Sequence, residues 1–236
     1  MTIVEIPYQY ISRLNHLNAE GLQMSYDQYL KVKRAFDLVM CIAAIPFLII
    51  PVLLISLAIM IDSPGSPIFL QERVGYRGRR FKIYKFRTLW NNYDDEENRK
   101  FMRAYINGDL ITEDDDRVAK FKPLHSSDVT RVGKFLRKTS LDELPQLLNV
   151  FRGEMTLIGP RPNVLWEVDA YKEWHRERLF VQPGMTGLAQ VIGRSDLTFD
   201  DIVRSDIQYA KNQSIHLDMW ILKQTVKVIF NREGAG

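Results

Sequence analysis

From Leu38 to Ile61 the chain carries no charged residue: LVMCIAAIPFLIIPVLLISLAIMI. As a straight helix that run would be ~36 Å long, enough to cross the hydrocarbon core of a bilayer. Hydropathy alone therefore leaves a single spanning helix open. Two features point elsewhere. Pro46 and Pro51 each remove a backbone donor and clash with the carbonyl four residues back, at Ile42 and Phe47, and two such residues so close together predict a pronounced bend. Lys31, Lys33 and Arg34 precede the run, and Arg73, Arg77, Arg79 and Arg80 follow it. Positive flanks prefer the cytoplasm. A helix that enters the membrane, breaks near the prolines and returns to the same face satisfies both flanks; a simple span does not. A signal peptide reads poorly, because the run starts late and no small-residue cleavage site follows it.

The rest of the 236 residues allow one ordinary domain with an appendage. The net charge of +3, from 32 Lys and Arg against 29 Asp and Glu, is too small to imply nucleic acid without a clustered patch. A lone cysteine, Cys41, excludes an intrachain disulfide and a cysteine-based zinc site. His16, His125, His175 and His216 are far apart in sequence. Chemistry must come from carboxylates, cations and hydroxyls.

Residues 1–33 read as one or two short helices. After the apolar run, Asp62-Ser63-Pro64-Gly65-Ser66-Pro67 is a turn cluster. Ile68–Val74 and Arg80–Thr88 read as a hairpin around Gly75-Tyr76-Arg77-Gly78. Residues 91–127 are hydrophilic, with acidic clusters at Asp94–Glu97 and Glu113–Asp116 that lack the Gly and final Glu of a calcium loop and read as solvated surface. Asp128–Lys138 is expected to be a basic helix with Val132, Phe135 and Leu136 on its apolar side, suited to an anionic membrane surface or to the core. Leu144–Phe151 should be a short helix ended by Gly153, Thr156–Ile158 a strand, and Gly159-Pro160-Arg161-Pro162 a stiff loop. Val164–Phe180 is expected to be helical, Gln182–Arg194 irregular, and Phe199–Lys211 and Leu217–Phe230 helical. In the last of these, Met219, Leu222, Val226 and Ile229 form an apolar stripe that predicts a core face.

Asp142 and Glu143 are adjacent at an expected helix start. One reading is structural: Ser140 as N-cap with Glu143 three residues on, a capping box. The other is catalytic. A helix start carries partial positive charge and free N–H groups, which keep Asp142 ionised as a carboxylate nucleophile requires and also receive phosphate. Two neighbouring carboxylates repel unless a cation intervenes, which makes a divalent metal at Glu143 reasonable. Candidate phosphate readers around the pair are Lys85, Arg87, Arg131, Arg137, Arg161 and Arg194, with Gln190 from the Gly-rich stretch. Arg161 lies between two prolines that limit its backbone and hold the guanidinium ready for bidentate contact; its structural alternative is a salt bridge to a nearby acid. A Walker loop and a GxGxxG are both missing.

The chain resembles the bacterial sugar transferases, monotopic polyprenyl-phosphate phosphoglycosyl transferases. The residues that carry the resemblance are Lys33-Arg34-Ala35-Phe36-Asp37, the broken apolar helix, DSPGSPIFLQERVGYRGRRFKIYKFRT, TRVGKFLRKTSLDELPQLLNVFRGEM, GPRP and PGMTGLAQVIGR, in that order to near Phe230. The 91–127 stretch looks enlarged. The resemblance implies a re-entrant helix kinked at Pro51; the family commonly has Ser before that proline, where this chain has Ile50, and Pro46 is an extra break. It implies that the Asp of the Asp-Glu pair attacks the sugar-bearing phosphate of a nucleotide sugar. UMP leaves, and a polyprenyl phosphate then displaces the phosphosugar from the Asp, with the Glu and magnesium assisting. Those roles fall on Asp142 and Glu143. Larger relatives place several spanning helices before this core, and none is expected here.

The expectation is therefore an α+β fold, mainly helical with a small hairpin, in three parts: a 1–30 extension, a 31–64 re-entrant membrane helix with its flank, and a 65–236 catalytic domain on the cytoplasmic face of a bacterial inner membrane. The expected partners are a UDP-sugar, a polyprenyl (undecaprenyl) phosphate and the bilayer, with Mg2+ as cofactor, no nucleic acid, and self-association left open. A non-catalytic membrane adaptor and a membrane phosphohydrolase using the same Asp are the rival readings.

Overall fold

The computed structural model describes residues 24–109, 125–193 and 197–231, without the side chains of 229–231. Arg194, the acidic cluster at 113–116 and most of the 1–30 extension lie outside the described residues. The first element, α1, runs Tyr26–Asp62 and starts from a capping box, in which Ser25 accepts the Gln28 N–H and Gln28 accepts the Ser25 N–H. Pro46 and Pro51 lie inside it, and helical backbone continues past both. Residues 26–33, expected as part of a separate short helix, are its first two turns.

Its burial divides α1 into three parts. Tyr29, Lys33, Asp37 and Cys41 recur every fourth residue and are buried, one stripe against the rest of the chain. Residues 42–51 include none that is buried. Ile59 is buried again, with Val52 and Ile55 packed beside it.

The hairpin pairs β1 (Ile68–Val74) with β2 (Arg80–Phe86) antiparallel, Ile68 opposite Phe86 and Arg73 opposite Phe81. The expected second strand was two residues longer. Between the strands, Arg77 and Gly78 take positive φ in a single 3-10 turn. Side chains alternate across a strand, so Arg73, Gln71 and Phe69 share a face with Phe81, Ile83 and Lys85. Next comes α2 (Glu96–Asn107), a helix within the stretch read as solvated surface. Its polar face supplied that reading, but Ile106 is buried and the Tyr105 hydroxyl donates to the Leu197 carbonyl at 2.6 Å.

Then follow α3 (Arg131–Thr139), the 3-10 helix Leu141–Gln146, α4 (Leu147–Arg152) and β3 (Thr156–Ile158). The helix expected over 164–180 is split into α5 (Leu165–Asp169) and a 3-10 helix, Glu173–Phe180. The stretch expected to be irregular contains β4 (Gly184–Thr186), parallel to β3, and α6 (Leu188–Ile192). Finally α7 (Phe199–Lys211) and α8 (Ile215–Asn231) close the fold. The apolar stripe predicted for α8 is rotated. Leu217 and Ile221 are fully buried, one turn apart, whereas Met219 and Val226 are exposed and Leu222 is only partly buried. Asp218 fixes that rotation: it is buried and receives Lys33 Nζ at 2.7 Å, the Tyr29 hydroxyl at 2.9 Å and the Tyr209 hydroxyl at 2.8 Å.

The two flanks of the apolar run both dock on this body. Asp37 accepts the Thr156 hydroxyl at 2.7 Å and the Leu157 N–H at 3.1 Å, and Arg34 donates to the Val150 and Phe151 carbonyls at the end of α4. At the other flank, Asp62 accepts the Val132 N–H in the first turn of α3 at 2.8 Å. Cys41 shares an apolar cluster with Ile83, and Ile59 shares the next one with Phe86.

Candidate active site

Asp142 and Glu143 occupy the first turn of the 3-10 helix that bridges α3 and α4. The capping box read from Ser140 does not form. Ser140 is the C-cap of α3, with φ at 57° and its N–H on the Arg137 and Leu136 carbonyls, and its side chain caps nothing. An N-cap residue needs extended backbone, which a left-handed residue cannot supply. Glu143 instead turns to cations: its Oε1 lies 2.8 Å from Lys85 Nζ and 3.3 Å from an Arg161 NH1. The salt bridge weighed as the alternative for Arg161 is therefore present, and its partner is the dyad itself.

The two carboxyls are pushed in opposite directions. Burial works against ionisation of Glu143, but Arg161 and Lys85 outweigh it by charge and hydrogen bond and hold the group at about 2. Asp142 is raised above the ordinary Asp value, first by burial and also by the Glu143 charge, while Lys85, Arg137 and Arg161 oppose the rise. The six-residue 3-10 helix supplies less positive field than the expected helix start, so the charges that favour ionised Asp142 are those of Lys85, Arg137 and Arg161. No described residue donates a hydrogen bond to it.

Of the predicted phosphate readers, Lys85 and Arg161 converge on the dyad. Arg137 is beside it as well, its Nε donating to the Thr88 hydroxyl at 3.2 Å and its charge favouring ionised Asp142. Arg87 is not brought there. Strand β2 ends at Phe86, so the alternation that would align Arg87 with Lys85 stops. Its guanidinium binds the Ser63 and Pro64 carbonyls and Asn91 Oδ1, locking the end of α1. Arg131 is exposed in the first turn of α3, at the opposite end of that helix from Asp142. Gln190 donates to the Met185 carbonyl at 3.1 Å.

Three further residues were missed as site residues. Arg73 was read only as a membrane flank, yet it shares the Lys85 face of the hairpin. Burial first and Arg161 second push its guanidinium down to about 10. Gln146 is buried in the dyad's own 3-10 helix. Arg178, fully enclosed and paired with Asp206, donates to the Arg161 carbonyl at 3.2 Å and so steadies the GPRP loop. Strand alternation signals Arg73, and the three-residue period of a 3-10 helix signals Gln146.

Among the described residues, no group of three His, Cys, Asp or Glu side chains converges on a metal position. Magnesium needs no such trio: it commonly takes one or two carboxylates and completes its shell with water and substrate phosphate. Glu143 Oε1 is committed to cations, but no described residue donates to its Oε2 or to Asp142. The donor set fits magnesium shared with a phosphate.

Residues 28–232 match the family model described as bacterial sugar transferase. The UDP-galactose-lipid carrier transferase of Erwinia amylovora is 41% identical over 207 residues, covering 86% of this chain and 41% of that protein. The undecaprenyl-phosphate galactose phosphotransferase of Salmonella typhimurium is 40% identical over 205 residues, with coverages of 86% and 41%. The exopolysaccharide production protein ExoY of Rhizobium meliloti is 39% identical over 204 residues, with coverages of 86% and 87%. The chain thus spans less than half the length of the first two and most of the third. With a match across nearly its whole length and a full-length relative of this identity, the chain belongs to the bacterial sugar transferase family.

Proposed function

We propose that this protein transfers a sugar 1-phosphate from a UDP-sugar to undecaprenyl phosphate through a phosphosugar on Asp142, releasing UMP. The observation that carries the reading is the division of labour in the dyad. Glu143 takes the ion pairs with Lys85 and Arg161, and Asp142 is left beside the same cations without a hydrogen bond from any described residue. A carboxylate in that setting is free to attack phosphorus.

In the first half-reaction, an Asp142 oxygen attacks the sugar-bearing phosphate while Lys85 and Arg161 offset the charge that gathers on the phosphoryl oxygens. UMP departs. In the second, the lipid phosphate attacks the same phosphorus and Asp142 leaves as a carboxylate. Glu143 positions the two cations throughout. Asp142 and Glu143 would hold magnesium, which supplies further charge neutralisation at the phosphates.

We also propose that α1 is re-entrant and seats the domain on the cytoplasmic face of the inner membrane. Its two arms pack on one body: Cys41 with the cluster of Ile83, and Ile59 with that of Phe86. Ile83 and Phe86 are ~10 Å apart along a strand, against ~27 Å between Cys41 and Ile59 along a straight helix. The intervening 42–51 segment carries both prolines and exposes Phe47 at 78%. On α3, which packs against the returning arm, Phe135 is exposed among Arg131, Lys134 and Lys138, a pattern suited to anionic headgroups.

UDP-galactose is the first donor to test, since two of the relatives are named for galactose. With undecaprenyl phosphate and magnesium, a lipid-linked product should form together with UMP. UMP release without a lipid product would indicate a phosphohydrolase. No UMP release with any UDP-sugar would indicate an adaptor.

A further inference from the structure

Among the described residues, strand β2 has a partner strand, β1, along one edge only. Its other edge is held by a side chain. Asn149 of α4 is fully buried; its Nδ2 donates to the Lys82 carbonyl at 2.7 Å, and its Oδ1 accepts the Tyr84 N–H at 3.1 Å. Nδ2 also donates to Glu154 Oε2 at 2.7 Å. These three partners fix the amide. Turned over, it would set its NH2 against the Tyr84 N–H and its oxygen against two acceptors. A carbonyl and an N–H two residues apart on a strand edge are the groups that a further strand would take. Here one side-chain amide takes both, so that stretch of edge is left with no unpaired backbone.

This contact is close to the dyad along both segments. Gln146 and Leu147, where the 3-10 helix passes into α4, both have right-handed helical backbone. Glu143 and Asn149 therefore lie on one continuous helical run, ~9–12 Å apart. On the strand, Ile83 sits between the two bonded groups and shares a buried cluster with Val150 of α4. Lys85 follows Ile83 by two residues, ~7 Å along the strand. The helical run thus meets β2 twice, through Asn149 at Lys82 and Tyr84 and through Glu143 at Lys85. A tilt or slide of the hairpin that carried Lys85 off Glu143 would first have to break the amide contact.

We propose that Asn149 is a positioning residue: it fixes the strand that carries Lys85 and so sets that cation beside the dyad before substrate arrives. The inference rests on the phosphoglycosyl transferase reading above. Asn149 is 0% exposed and touches no substrate, so its effect on the chemistry passes through Lys85. Charge fixed in advance is what lowers a phosphoryl-transfer barrier, and a misplacement of ~1 Å costs on the order of 100-fold in rate.

The test is a double-mutant cycle on the full chain in detergent, with magnesium and UDP-galactose and no lipid, reading the first-turnover rate of UMP release. Asn149→Ala should slow release about tenfold or more when Lys85 is present, and no more than about twofold in a Lys85→Met background. Val203→Ala, a buried change in the cluster of Phe199, is the stability control and should have the same effect in both backgrounds. Asn149→Ser, with one hydroxyl for two backbone partners, replaces the alanine variant if that does not fold. Equal slowing in both backgrounds, or no slowing with Lys85 present, overturns the proposal and leaves Asn149 a structural residue. Urea denaturation gives a second readout that needs no turnover. The coupling between Lys85→Met and Glu143→Gln should be measurable in the wild type and smaller in Asn149→Ala; an unchanged coupling overturns the proposal. If the wild type releases no UMP from any UDP-sugar, the transferase reading fails, and the urea cycle alone decides whether Asn149 places Lys85.

Discussion

Lys85 on the hairpin and Glu143 in the 3-10 helix are joined at 2.8 Å, and Arg161 reaches the same Glu143 oxygen at 3.3 Å. Three segments far apart in sequence therefore meet at one carboxylate oxygen, and Asp142 is the group they surround.

Glu143→Gln should cost about 100-fold or more in turnover, the scale of losing one preorganised electrostatic group. The amide keeps the shape but no longer holds two cations in place. Near-ultraviolet circular dichroism should show a retained fold. Full activity in this variant would reduce Glu143 to a structural residue.

The pH profile should have an acid limb set by Asp142. Its carboxyl is raised by burial, so activity should fall at a pH above the usual Asp range as the solution is acidified. Because the Glu143 charge contributes to that rise, Glu143→Gln should move the limb of the residual kcat/KM to lower pH. A limb unmoved, or moved upward, would contradict the coupling.

Stability should carry the opposite signature from Glu143. Its folded value of about 2 lies below the ordinary 4.5, so its contribution is present above pH 4.5 and is lost as pH falls towards 2. Asp142, raised on folding, contributes when protonated and loses that contribution as pH rises through its shifted value. Urea titrations of wild type and Glu143→Gln between pH 2 and 6 should converge at the acid end.

Topology is tested on a Cys41→Ser background with single cysteines at Lys31, Phe47 and Arg79. Lys31 and Arg79 are exposed on either flank of α1. Both should label only from the cytoplasmic side, and position 47 from neither side. Periplasmic labelling of either flank would mean a simple span. Pro51→Ala should favour a straighter helix, and Pro46→Ala added to it more so.

Arg178→Met should lower both stability and activity. It leaves Asp206 buried without its cation, a loss of ~3–5 kcal/mol for a broken buried pair. It also removes the bond to the Arg161 carbonyl. Melting temperature and KM for the UDP-sugar should change together.

Much of this was legible in local sequence. Thr156–Ile158 and Phe199–Lys211 have the bounds that β-branched content and amphipathic period gave them. Lys85 and Arg161 could be named because charge beside stiff loops is visible in one dimension. The failures have particular causes. Ser140 carried the pattern of a capping box, but the α3 C-cap places it in left-handed backbone. Arg87 looked equivalent to Lys85 until the strand ended one residue before it. The α8 stripe was rotated by Asp218, a polar residue buried only because Lys33, Tyr29 and Tyr209 arrive from elsewhere. Tertiary partners of this kind leave no local signature.

The central claim is that Asp142 is the covalent nucleophile. The most direct measurement is intact-protein and peptide mass spectrometry after incubation with UDP-galactose and magnesium but no lipid, beside an assay of UMP. The account predicts about one UMP released per protein, a phosphosugar mapped to Asp142, and neither in Asp142→Asn, which should remain folded and membrane-bound. An active Asp142→Asn protein, or an adduct on any other residue, would contradict it.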